Sequence, residues 1–149
     1  MAILVIFFFL VMFGFSFYTK IQKVSFEKQQ KLMRDLAIIK LTQRASFMTE
    51  FQCSFKDISV DNCYDSLKLE AFEDVIENEP GVKDYYFSMF GDTHIRIKEI
   101  YPGQTEYLIY DNPLAEWTFK DEVVWPISIY NATTKRFSIG LMNVTMYSK

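Results

Sequence analysis

No charged side chain occurs before Lys20, no proline or glycine interrupts the chain between Thr19 and Glu50, no basic run is present, and there is one histidine. Each absence excludes something. With a formal charge of -3 and no clustered Lys or Arg, the chain lacks the surface that neutralises a nucleic-acid backbone, so no nucleic-acid partner is expected. The lone His94 alternates with Ile95 and has no partner near it in sequence, which suits a surface or half-buried strand residue rather than a general base. No glycine-rich phosphate loop, nucleophile elbow or metal-spaced His, Cys and carboxylate cluster occurs, so neither enzymatic activity nor a cofactor or metal is expected. The stretch Asp57, Ile58, Ser59, Val60, Asp61, Asn62 mimics the start of a calcium loop, but Asn62 stands where the tight turn needs glycine and Lys68 where a bidentate Glu is needed.

What is present begins with an apolar segment, Met1 to Tyr18, crowded with Phe7, Phe8, Phe9, Phe13, Phe15 and Phe17. About 20 apolar residues at about 1.5 Å each cross the hydrocarbon core of a bilayer, so this segment belongs in lipid or inside a bundle of equally apolar helices. From Thr19 to about Glu50 the composition is rich in Lys, Gln, Leu, Met and Arg, which predicts that the helix continues without a break. Leu32, Leu36 and Ile39 form one apolar stripe, and Ile38, Leu41, Ala45 and Met48 form another, so the helix has two things to pack against. Glu27, Lys28, Gln29, Gln30 and Lys31 make a polar waist between these stripes and the apolar segment. Gly14 reads as a tolerated helical glycine, because no second small residue four positions away completes a packing motif.

Cys53 and Cys63 lie ten positions apart in a polar, loop-like stretch, and a disulfide between them is expected. Two Asn-X-Thr triplets, at Asn131 and Asn143, are candidate N-glycosylation sites. Cysteine pair and triplets together point to an exported domain. Lys20, Lys23 and Lys28 follow the apolar segment and no charge precedes it, which by the positive-inside rule would place the remainder in the cytoplasm. A basic leader that once preceded Met1 and was removed would reconcile the two indications.

Beyond the cysteines, Ser66 to Asn78 predicts a short helix with Leu67, Leu69, Phe72, Val75 and Ile76 on its core side, ended by Asn78, Glu79, Pro80 and Gly81. Tyr85 to Phe90 and Thr93 to Tyr101 then read as a hairpin turning at Gly91 and Asp92. The run Tyr85, Tyr86, Phe87 is expected in the core of that sheet rather than as an adhesive patch. Glu106 to Tyr110, Val123 to Tyr130 and Phe137 to Met146 are further strands, with Asn131 on a hairpin tip and Pro126 marking an edge or bulged strand. The expected fold class is α+β: a long N-terminal helix, residues 1–50, with residues 1–19 apolar and 20–50 amphipathic, packed on a small antiparallel β-sheet head, residues 51–149.

An apolar segment at the N-terminus, continuing into an amphipathic helix and followed by a β-rich head carrying Asn131 and Asn143, resembles the type IV pilins. Bacterial members place a Glu at the fifth mature position; here that position is Val5, so the resemblance is to the archaeal pilin and archaellin branch. The resemblance implies a leader cut by a prepilin peptidase, storage in the cytoplasmic membrane, and assembly by an ATPase and a platform protein into an extracellular filament serving adhesion. The subunit's main partner would be itself, with Ile3, Leu4, Phe7, Phe8, Leu10, Val11 and Phe15 as the filament-core contacts. The competing expectations are a monomeric membrane-anchored exported binding protein and a minor pilin of a filament or secretion system.

Overall fold

The computed structural model describes residues 2–56 and 58–149. Met1, the expected cut end, and Asp57, the first position of the calcium-like stretch, lie outside the described residues. The fold is α+β: helix α1 (Ala2–Ser46), strands β1 (Gln52–Phe55) and β2 (Ile58–Asp65), helices α2 (Ser66–Asn78) and α3 (Pro80–Phe90), then β3 (Thr93–Tyr101), β4 (Glu106–Asp111), β5 (Phe119–Asn131) and β6 (Arg136–Ser148). The chain divides into two compact units, Met1–Leu36 and Ala37–Lys149, and each is described by itself.

The first unit is helix alone. Without proline, and with Gly14 as its single glycine, the α1 backbone has no reason to stop, and every side chain from Ile3 to Met33 is exposed. In the second unit, the last turns of α1 bury the stripe of Ile38, Thr42, Ala45 and Ser46, with Leu41 and Met48 packed against the same core. The two buried hydroxyls are satisfied within the helix, Thr42 donating to the Ile38 carbonyl at 2.9 Å and Ser46 to the Thr42 carbonyl at 2.8 Å. Helix ends leave carbonyls unpaired. Here the Ser46 carbonyl accepts from Gln52 Nε2 at 3.0 Å and from the Tyr64 hydroxyl at 3.1 Å, so β1 and β2 close the end of α1.

The cysteine stretch is a strand pair rather than a loop. β1 and β2 are antiparallel, and Cys53 and Cys63 form the expected disulfide with Cα atoms 5.3 Å apart, both side chains buried. The polar sequence that suggested a loop belongs to the outer half of β2, where Ile58 to Asn62 are exposed. Asp65 caps α2 by accepting from the Leu67 N–H at 3.0 Å, and Leu69, Phe72 and Ile76 form the buried side of that helix.

The largest departure from the sequence reading is α3. Tyr85 to Phe90, expected as a strand of a hairpin, is helical. Pro80 takes the first helical turn, where its missing N–H costs nothing, and Gly91 at φ 62° ends the helix with its N–H on the Phe87 carbonyl at 2.8 Å. Tyr86 and Phe90, four apart, are buried, whereas Tyr85 and Phe87 stand exposed, so the aromatic run enters the core through a helix face and not through a sheet.

The sheet order is β1-β2-β5-β6-β3-β4. All neighbours are antiparallel except β2 and β5, which pair in parallel at Cys63 to Asp65 against Ser128 to Tyr130. That parallel junction was not expected. Pro126 sits where β6 is the strand recorded against β5, because β2 reaches only residues 128–130; the ladder with β6 passes it without a register shift, so it marks a local edge and not a bulge. At the far side, Glu73 of α2 accepts from the Leu108 N–H of outermost β4 at 2.9 Å, occupying a donor that would otherwise face outward. Rings of Phe51, Phe72, Tyr86, Phe90 and Tyr110 follow one another at centroid distances of 5.3 to 6.1 Å and link the cysteine strands to β4 through α2 and α3. Each such pair adds about 0.5 to 1.5 kcal/mol beyond the area it buries.

Candidate functional site: the uncovered apolar helix

The largest unexplained physical fact of this molecule is the start of α1. An 18-residue window of this helix reaches a mean hydropathy of 2.0 with none of it buried. The seven residues expected as assembly contacts all lie there: Ile3 is 84% exposed, Phe8 62% and Phe15 69%, with Leu4, Phe7, Leu10 and Val11 similarly open. Their spacing makes two adjacent rows, Ile3, Phe7, Leu10 and Leu4, Phe8, Val11, Phe15, each following the i, i+4, i+7 repeat that keeps residues on one side of a helix. Beside the second row the side chains leave a shallow notch walled by Leu4, Val5, Phe8, Phe9 and Met12, and a further notch, walled by Phe9, Met12, Phe13, Ser16, Phe17 and Lys20, lies outside both rows. Such notches are holes that receive side chains of a neighbouring helix. A Cβ added at Gly14, which continues the first row, would meet nothing within 4 Å, leaving the backbone open to close approach there.

Polar chemistry begins abruptly. Thr19 returns its hydroxyl to the Ser16 carbonyl at 3.0 Å and Gln22 donates to the Tyr18 hydroxyl at 2.8 Å, so the first polar side chains after the apolar segment are satisfied on the helix itself. The waist from Glu27 to Lys31 is exposed throughout. Beyond it the two stripes separate: Ile38 is 3% exposed, whereas Leu32, Leu36 and Ile39 are 57%, 46% and 47% exposed. One stripe is spent on the core, and the other is unoccupied.

The remaining candidates fall elsewhere. His94 has a partner that sequence adjacency could not supply, Asp111 on β4, with Nδ1 and Oδ1 2.8 Å apart. The sequence reading ended the Glu106 strand at Tyr110, one residue short of Asp111, so it did not place the pair; β4 runs on through Asp111 and sets it opposite His94. Among the described residues the ring makes no other hydrogen bond, and no group of three metal-capable side chains gathers. Ser59, Asp61 and Asn62 of the calcium-like stretch lie along β2, and Lys68 is turned to the Gln52 carbonyl at 2.8 Å. Asn131 ends β5 at the hairpin tip, and Asn143 lies within β6 between β5 and β3. Among the concavities that sequence reading missed is a cavity of about 330 Å³ walled by Ile39, Thr42, Phe47, Asn62, Val123 and Trp125, beside the stretch of β5 that β2 does not reach. It arises from the parallel junction of β2 and β5, which no local signal announces.

Comparison of the chain with models of known protein families, with curated proteins and with solved structures gives no match.

Proposed function

We propose that this chain is a structural subunit of an extracellular filament of the type IV pilin kind, polymerising through α1 and serving adhesion. The observation that carries the reading is the division of α1 into a buried stripe and an unoccupied one that extends past the span of a bilayer. A simple anchor needs apolar residues only where lipid covers them. Leu32, Leu36 and Ile39 lie beyond the polar waist, where a monomer would hold them in water, and a second copy of the helix is a cover for them.

The energetics agree with a filament that uses the membrane as a store. Moving the Ile3 to Phe17 surface from lipid into a bundle of like helices gains little, because both surroundings are apolar, so extraction needs external work such as an assembly ATPase acting through a membrane platform. Once the bundle faces water, each buried Leu, Ile or Phe contributes about 1.5 to 3 kcal/mol. Head-to-tail contacts that do not close on themselves then propagate as a helix.

The test is negative-stain imaging of material sheared from the cell surface, with mass spectrometry of its subunits, for the wild type and for Phe8→Lys. The charge should abolish filaments while residues 37–149 keep their circular dichroism. Normal filaments from Phe8→Lys, or surface filaments built mainly of another protein, would overturn the major-subunit reading; the second result, with this chain detected at a filament end, would favour a minor pilin.

A further inference from the structure

We infer that Asn131 is the acceptor of an N-linked oligosaccharide and that Asn143, which has the same Asn-X-Thr context, is not. The inference rests on the exported placement of residues 37–149 in the reading above, and not on filament formation. Two triplets of the same Asn-X-Thr pattern are separated by their surroundings. Asn131 is the last residue of β5, and Thr133, Thr134 and Lys135 at the tip beyond it are exposed. Its Oδ1 accepts from the N–H groups of both Thr133 and Thr134 at 3.0 Å, while among the described residues its Nδ2 donates to nothing. The oxygen therefore holds the turn, and the nitrogen of half-buried Asn131, the atom that is glycosylated, is not tied into the fold by a hydrogen bond among the described residues. Because the modified side chain keeps its carbonyl, the turn survives the modification.

Asn143 is the reverse case. Its backbone is laddered on both sides, to Val124 of β5 and Arg96 of β3, and Thr145 is likewise laddered to Glu122 and His94. The Asn143 Nδ2 is engaged by Glu122 Oε1, and Thr145 is 4% exposed. Presenting this triplet to an enzyme would require pulling the middle of a central strand out of the sheet, whereas tips are where enzymes reach folded chains.

A second observation lies beside Asn131. A cavity of about 320 Å³ adjoins it, walled by Glu99, Thr134, Arg136, Phe137 and Ser138. Phe137 is 58% exposed. Hydrogen-bonding side chains around an open aromatic ring match the first sugar of a glycan, which has hydroxyls on its rim and an apolar face to lay on the ring.

The chemistry balances without a redox step. The Asn131 Nδ2 attacks the anomeric carbon of a lipid-phosphate-linked oligosaccharide; the bond from that carbon to the phosphate oxygen breaks, and the lipid phosphate leaves with the electron pair. The displaced amide proton passes to a base of the transferase, and an N-glycosidic bond remains.

Glycopeptide mapping and intact mass of the chain purified from cells that naturally make it, alongside N131Q, N143Q and T133A, test the inference. Wild type and N143Q should carry one added glycan mass on the Asn131 peptide, and N131Q and T133A none; T133A retains the asparagine and alters only an exposed side chain. An unmodified Asn131, or glycan on Asn143, overturns the inference. The cysteine state in the same sample separates the causes: an oxidised Cys53–Cys63 pair beside an unmodified Asn131 rejects the glycan and leaves export standing, and free thiols beside an unmodified Asn131 reject both.

Discussion

Gly140 and Tyr86 show how single positions of residues 37–149 are committed. Gly140 lies in β6 opposite Ile127, and a Cβ there would stand 2.6 Å from Ile129 Cδ1 and 3.1 Å from the Lys98 carbonyl oxygen. Ile129 is buried and the carbonyl belongs to the β3 ladder, so neither can withdraw cheaply. Gly140→Ala should therefore cost about 1 to 3 kcal/mol, read as a lowered denaturation midpoint of the detergent-solubilised chain, and an unchanged midpoint would show that the strand gives way. Tyr86 is constrained electrically. Its phenol is pushed up to about 12, first by burial and then by the charge of Glu50, whose Oε1 accepts from the hydroxyl at 3.4 Å. An unfolded tyrosine ionises near about pH 10. The folded phenol thus holds its proton where the unfolded one loses it, so its stabilising contribution is complete below about pH 10 and disappears as pH climbs through about 12. Tyr64, Tyr107 and Tyr110, also raised mainly by burial, add to the same alkaline decline. Tyr86→Phe should lose less melting temperature than wild type across that window, and an identical decline in both proteins would remove Tyr86 from the account.

Among the elements, α1 carries the sharpest contrast, because two apolar residues two positions apart should fail in different ways. Ile38→Ala empties a core position and should destabilise residues 37–149 by about 2 to 5 kcal/mol. Leu36→Lys changes an exposed position and should leave the melting temperature within a few degrees while reducing filament yield. A Leu36→Lys chain that melts early would mean that its stripe is part of the fold and not of an interface. Both stripes were legible in the sequence because a helix repeats every 3.6 residues and nothing between Thr19 and Glu50 breaks the count. β3 was legible for the matching reason, period-two alternation from Thr93 to Tyr101, and the later strands were legible from the turn residues that separate them. α3 was not legible because its punctuation is ambiguous. Pro80 closes α2 and equally opens a helix, Gly91 serves a hairpin turn and equally a helix end, and six consecutive residues rich in aromatics follow neither period clearly. What decided the outcome was tertiary: as a helix, the run sends Tyr86 toward Phe72 and Phe90 toward Tyr110. The parallel pairing of β2 with β5 joins residues more than sixty positions apart in the sequence, and local pattern carries no trace of it.

At the scale of the whole molecule, the apolar surface and the fold occupy different stretches of chain. Every side chain from Ile3 to Met33 is exposed, and the buried core is drawn from residues from Ile38 onward. The assembly surface proposed for α1 could for that reason be as apolar as a membrane span, which fits the proposed passage from lipid to polymer. A chain begun at Gln30 keeps the buried stripe of Ile38, Thr42 and Ala45 and discards the apolar segment. It should be water-soluble and sediment as a monomer, with the disulfide formed and a cooperative thermal transition. A chain begun at Phe47 removes α1 and with it the carbonyl of Ser46 that Gln52 and Tyr64 share, leaving two buried donors unpaired at about 1 to 3 kcal/mol each beside an opened core. That chain should lose cooperative unfolding. Oligomers of the Gln30 chain in analytical ultracentrifugation would place an association surface outside the first half of α1, and loss of its cooperative transition would show that the apolar half of α1 supports the fold after all.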